Sequence, residues 1–276
     1  MTSPVELADA LDPPTRLPGI AFMTRSHLVK WFVALGALVL FSAEGRARAA
    51  SFQVNPVNLT LSTTVSNGLL SIRNQGDEPV RVQASVFTWG QRSNGEMDLT
   101  PTGDIVFFPS IVSLAPHEAR NLRVAVASEA ILMNAVVEQN YRLIVEELLP
   151  VVKASMPNAV RVITKMSIPV FVQASPAKGV PRIENLALRG RNVAFQLTNV
   201  GTTHFVAHKV RLFVTGQDGG TLLDQSIDGW YVLAHGARAY DLEMPVAACA
   251  RGARIHVEAN TDHGVVTQQI DSTCSP

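Results

Sequence analysis

Residues 81–95 read Arg81-Val-Gln-Ala-Ser-Val-Phe-Thr-Trp-Gly-Gln-Arg-Ser-Asn-Gly95 (RVQASVFTWGQRSNG). Val82, Ala84 and Val86 alternate with Arg81, Gln83 and Ser85. A period of two puts the first set on one face of a strand and the second on the other. Asn94-Gly95 follows, and this pair readily takes the positive φ that a tight hairpin turn requires. A half-buried strand running into a hairpin predicts an antiparallel sheet.

The same rhythm extends both ways from this stretch. Upstream, Phe52–Leu61 is extended with a bend at Pro56, and Leu69–Arg73 follows Asn67-Gly68. Gln75-Gly-Asp-Glu-Pro79 is a turn. Downstream come Ile105–Phe108, ended by Pro109, then a turn at Ala115-Pro-His-Glu118, then Asn121–Val126, Tyr141–Leu148 and Val160–Val172. Ser128–Gln139 (SEAILMNAVVEQ) reads as a single helical excursion. Turn signals recur about every 8–12 residues, which is the signature of an immunoglobulin-like sandwich.

Ala174-Ser-Pro-Ala-Lys-Gly-Val-Pro181 breaks the pattern with two prolines and a glycine. Short β runs then resume, from Ile183–Leu188 to Val265–Asp271, with turns at Arg189–Asn192, Gln217–Gly220 and Asp262–Gly264. The chain is thus expected to be all-β, with two β-sandwich domains in tandem. The expected bounds are 50–173 for the first domain, 174–181 for a linker and 182–276 for the second domain.

Residues 1–49 carry a different signal. Arg25 and Lys30 precede the apolar run Trp31–Phe41, and Ala47-Arg-Ala49 has the small-x-small pattern of a cleavage site. The run is short of the about 20 apolar residues that span a bilayer. A cleaved signal peptide is expected, with cleavage after Ala49; an uncleaved anchor is the alternative. Residues 1–22 read as an extension ahead of an initiator at Met23.

Lys plus Arg balances Asp plus Glu at 23 each among 276 residues. No basic field exists to hold nucleic acid. Export implies an oxidising compartment, in which Cys249 and Cys274 read as one structural disulfide, with a redox or metal pair as the alternative. No Gly-x-Ser-x-Gly, P-loop or Gly-x-Gly-x-x-Gly occurs. His204 and His208 have the i, i+4 spacing of a zinc pair on a helix, but their segment reads as strand, where they lie about 13 Å apart. Glu146 and Glu147 point to opposite faces of a strand and make no catalytic dyad. No catalytic or metal residue is assigned.

Several motifs occur in a telling order: Phe107-Phe-Pro109, Leu114-Ala-Pro116, Asn121-Leu-Arg123, Tyr141-Arg-Leu-Ile-Val-Glu-Glu-Leu148, Met166-Ser-Ile-Pro-Val-Phe171 and Gly229-Trp-Tyr-Val-Leu233. Together they resemble the periplasmic pilus chaperones of chaperone–usher pathways. The likeness is greatest to the archaic branch, which handles spore-coat-protein-U-like pilins.

That resemblance implies a non-enzymatic, periplasmic protein without cofactor, nucleotide or small-molecule substrate. Its partners would be an incomplete pilin or coat-like subunit and an outer-membrane usher. The chaperone would lend an edge strand to the open groove of the subunit, a form of β-augmentation for which this family is a standing example. The same edge could also pair with a second copy of the chain. The rival reading is an exported structural or adhesive sandwich protein.

The resemblance puts the donor strand at the end of the first domain, where Val160, Val162, Thr164, Met166 and Ile168 share one face. Met166 and Ile168 are expected to project into the partner rather than into the protein's own core; the plain alternative is an ordinary half-buried strand. Family members also hold the subunit's C-terminal carboxylate with basic side chains. Here Asn58 stands near the family's first-strand arginine, and Ser167 or Ile168 near its donor-strand lysine. The anchor is therefore assigned to Arg142, with Lys165 or Arg161 as helpers. A structural salt bridge or a solvated strand end is the alternative for Arg142.

Overall fold

A computed structural model describes residues 52–149, 162–249, 252–272 and 274. The proposed leader, the donor-strand residue Val160 and the anchor helper Arg161 lie outside them. The alternating segments form the strands that their patterns predict. In the first domain these are β1 (Phe52–Asn55), β2 (Leu59–Leu61), β3 (Asn67–Asn74), β4 (Val80–Gln91), β5 (Met97–Pro101), β6 (Ile105–Phe108), β7 (Ile111–Leu114), β8 (Ala119–Val126), β9 (Gln139–Glu147) and β10 (Lys165–Val172). The helical excursion shrinks to one turn and a half, α1 (Glu129–Met133), with Ser128 capping the Ala130 amide. The apolar residues that follow, Val136 and Val137, are not helical.

Two sheets face one another. One runs β1-β3-β8-β6; the other runs β2-β10-β9-β4-β5, with β7 also on β4. The first extended segment serves both. Its first half, β1, pairs with β3, and beyond Asn55–Pro56 the chain crosses over so that β2 lies parallel to β10. Val82, Ala84 and Val86 of β4 face inward, as the alternation requires, and pack with Leu70, Ile72, Leu122, Val124, Leu143 and Val145.

The second domain pairs a three-stranded sheet of β11 (Pro181–Arg189), β12 (Asn192–Asn199) and β16 (Ala237–Glu243) with a larger one. The larger sheet orders β14 (Thr221–Asp228), β13 (Phe205–Thr215), β17 (Arg254–Thr261) and β18 (Gly264–Asp271), and β15 (Tyr231–Val232) adds to the start of β13. Its separate core holds Phe195, Leu197, Phe205, Leu212, Ile255 and Val257. Gly190, at φ +63, occupies the two-residue loop between β11 and β12, where a side chain would strain the turn. Cys249 and Cys274 are bonded, with Cα atoms 5.4 Å apart, tying the end of the chain to the loop after β16.

Candidate partner-binding site

β10 is bordered unevenly. Along one side it pairs with β9 from Lys165↔Glu146 to Val172↔Gln139, and the ladder continues through the Glu147 amide to the Thr164 carbonyl. Along the other side only Val170–Val172 are covered, by β2. Among the described residues, nothing pairs with that second edge from Val162 to Ile168. Val162 is 75% exposed, and Ile163 is also exposed.

The side chains divide at Met166. Ile168 is 3% exposed and belongs to the first domain's own core, and Met166 is half-buried against that core. The expectation that both project only into a partner is therefore corrected. The even-numbered face of β10 is the inward face of the sandwich. From Ile168 onward the opposing sheet covers it, whereas the residues before Met166 run past the packed core. Within the described residues, the apolar side chains free for a partner are Val162 and Ile163, with Thr164 partly so.

Arg142 sits on the opposite, outward face of the same sheet. Parity places Tyr141, Leu143 and Val145 inward and Arg142 and Ile144 outward, but the second domain covers the outward face here, so Arg142 is only 3% exposed. Its guanidinium carbon stands 3.6 Å from the centroid of the Trp89 ring and 5.7 Å from that of Tyr231. Nη1 reaches the Ser167 carbonyl at 3.4 Å, a marginal distance, and Nε and Nη2 are buried with no acceptor. Burial pushes its pKa down to about 10, with Tyr231 opposing. Among the described residues Arg142 has no salt-bridge partner, and it is not solvated. It is a buried cation whose counter-ion is not supplied by the described residues.

Lys165 does not join it. Its Nζ lies 3.3 Å from Glu146, its cross-strand partner, and both side chains are exposed. The register sets Lys165 four residues along β10 from Pro169, the partner of Arg142. Lys165 is therefore corrected from anchor to surface ion pair, and Arg161 lies outside the described residues.

The neighbours of Arg142 come from both domains. Trp89, Phe171 and Leu233 form a small core, with Tyr231 packed on it. His204 stacks on Phe171 at 3.8 Å between centroids, and its Nδ1 lies 2.7 Å from Oε1 of the buried Glu138. The Gln91 amide donates to the Tyr231 carbonyl at 2.7 Å and accepts from the Leu233 amide at 3.3 Å. These contacts fix β15 of the second domain against β4 of the first. His208, the other member of the i, i+4 pair, points to solvent from β13. Among the described residues no group of three His, Cys, Asp or Glu gathers to hold a metal.

Sequence reasoning missed Trp89 and Tyr231 as neighbours of Arg142, and the His204–Glu138 pair packed beside Phe171 and Tyr231. The one available signal was parity: Trp89 of β4 and Phe171 of β10 are apolar residues on the outward face, which needs something to cover it.

Residues 51–178 match the family model of the pili and flagellar-assembly chaperones, PapD N-terminal domain. No curated protein matches the sequence. Among solved structures, the chain is similar to one in the CsuC–CsuE chaperone–tip adhesion subunit pre-assembly complex of the archaic chaperone–usher Csu pili of Acinetobacter baumannii. They share 20% identity over 81% of this chain and 98% of that one, with a TM-score of 0.51. The Pseudomonas aeruginosa CupB2 chaperone matches at 16% identity over 80% and 100%, with a TM-score of 0.51. A chain of the Salmonella enterica SafA pilin–SafB chaperone complex matches at 14% over 81% and 98%, with a TM-score of 0.51. At these identities the likeness is one of fold.

Proposed function

We propose, from the match of residues 51–178 to the pili and flagellar-assembly chaperones, how this chain works. It is a periplasmic chaperone of a chaperone–usher pathway. It captures an incomplete pilin subunit by lending it a strand and delivers that subunit to an outer-membrane usher. The archaic branch fits best, in keeping with the ordered motifs and with the Csu complex among its structural relatives. Delivery needs no nucleotide, because the subunit finishes its fold when a neighbouring subunit replaces the chaperone strand.

The observation that carries this reading is the half-covered edge of β10. An open strand edge is an aggregation liability that proteins blunt with charge or proline. Here the only proline of β10 is Pro169, beyond the open part. The free edge can donate and accept main-chain hydrogen bonds, and Val162 and Thr164, continuing to Val160, supply the alternate side chains that fill an open groove. Burying each such apolar side chain contributes roughly 1.5–3 kcal/mol gross, much of it offset by association and ordering costs. Arg142 supplies the anchor for the subunit's C-terminal carboxylate, because a planar guanidinium offers a carboxylate two parallel hydrogen bonds.

Co-expression with the pilin-like exported proteins encoded beside it tests the reading. Pull-down should recover a one-to-one complex with a small β-rich subunit. Recovery of the free chain alone, with the subunit expressed, would overturn it.

A further inference from the structure

Three buried donors on two residues in contact lack a partner among the described residues: Nε and Nη2 of Arg142 and Nε1 of Trp89. Both residues are 3% exposed. Buried donors are almost always satisfied by protein or water, so an unpaired group in a native site calls for a partner. The indole N–H can only donate, as can the guanidinium, so neither can serve the other.

The geometry narrows the partner. With the guanidinium carbon 3.6 Å from the indole centroid, a guanidinium standing on edge would drive a nitrogen into the ring. The guanidinium therefore leans its face toward the ring, and its N–H bonds point past the indole rather than into it. An acceptor that serves both residues must carry at least two acceptor atoms, tolerate a buried cation beside it and reach the indole and the guanidinium together. A carboxylate meets all three conditions. Asn140 Oδ1, the unsatisfied acceptor on the same face of β9, is bonded to neither group.

Resting on the reading of Arg142 as anchor, we propose that Trp89 is a second ligand of the terminal carboxylate, donating its indole N–H to one oxygen while Arg142 holds the other. Trp89 then does two jobs: its ring orients the guanidinium and its edge binds the anion. This arrangement takes the place of the second basic residue, since Lys165 is occupied by Glu146 and Ser167 stands near the family's lysine position.

Nitrogen-15 spectra of the full protein, with indole signals assigned through Trp89→Phe and Trp230→Phe, test this with sodium acetate as probe and acetamide and sodium chloride as controls. Acetate should move the Trp89 N–H signal downfield and saturably, and the controls should not. Trp89→Phe keeps the stacked ring and should weaken acetate binding about tenfold, as for one hydrogen bond to a charged group. If acetate perturbs the Arg142 side-chain signals but leaves the Trp89 N–H unmoved, the Trp89 proposal is overturned and the anchor stands. If acetate perturbs neither, both fail. The wild-type titration decides the matter even if Trp89→Phe does not fold.

Discussion

The guanidinium carbon of Arg142 stands over the indole of Trp89, 3.6 Å from its centroid, with two of its three nitrogens lacking an acceptor among the described residues. A buried cation held by a ring and one marginal carbonyl contact is poorly compensated. Cation–π attraction returns about 2 kcal/mol at a desolvated site, against an effective desolvation cost of several kcal/mol per buried ion. Such a residue makes sense where binding, rather than folding, completes its surroundings.

Arg142→Met should therefore leave the free protein about as stable as the wild type, within roughly 1 kcal/mol, because an apolar side chain of similar length replaces an unpaired charge. Capture of the subunit should weaken by about 2–5 kcal/mol, the range for losing one side of a buried charge pair. Denaturant unfolding of the free protein and titration with the subunit measure the two halves. Unchanged affinity would return Arg142 to a purely structural role.

The division of β10 at Met166 gives opposite outcomes for two neighbouring residues. Ile168→Ala should destabilise the free protein by about 2–5 kcal/mol, as for a methyl-rich core side chain. Val162→Asp should change stability by less than about 0.5 kcal/mol, because the site is exposed. It should abolish capture, because a carboxylate would be stranded in an apolar groove. Thermal unfolding and a pull-down with the subunit separate the two, and a large stability loss from Val162→Asp would show that the open edge is misplaced.

Cys249 and Cys274 close a loop of 25 residues. Replacing both with alanine should cost about 3–4 kcal/mol by the chain-entropy estimate, and the loss should appear in the second domain. Thiol labelling of the unfolded, unreduced protein should find no reactive cysteine.

His256 offers a pH test confined to the second domain. Its ring stacks on Phe213 at 4.4 Å and its Nε2 lies 3.2 Å from the Thr215 hydroxyl. Burial, with Arg254 adding to it, holds its pKa below the usual histidine value. The unfolded chain therefore takes up this proton first as pH falls. The contribution to stability is present above about pH 6.5 and is lost as the pH drops through the window below that value. Unfolding midpoints followed from about pH 8 to about pH 5 should fall more steeply for the wild type than for His256→Asn. Parallel curves would mean that His256 does not titrate differently on folding.

Residues whose signal is local were legible in the sequence. The alternation in β4 and the turn residues near Gly95, Gly190 and Gly264 lead to the observed strands, and parity alone puts Arg142 outward on β9. What covers Arg142 was not legible. Tyr231 lies 89 positions along the chain, and the approach of the two domains there depends on how two sandwiches meet. The fate of Lys165 was equally hidden, since its pairing with Glu146 follows from the register of β9 with β10. Ile168 shows the limit of period-two reasoning. The pattern gives the face of a side chain but not where along the strand that face stops being the protein's own core.

β2 ends the open edge of β10 abruptly, at Val170. For an incoming strand this is a physical stop. A partner laid along the edge can advance toward Val170 only until it abuts the backbone of Leu59, and the rung at which it halts is set by this protein rather than by the partner. A slip of one residue would turn every side chain of the donor segment to the wrong face. With β10 as the proposed donor, β2 would work as a gauge that sets the phase of the lent strand, and subunits of different sequence would all be read from the same starting line.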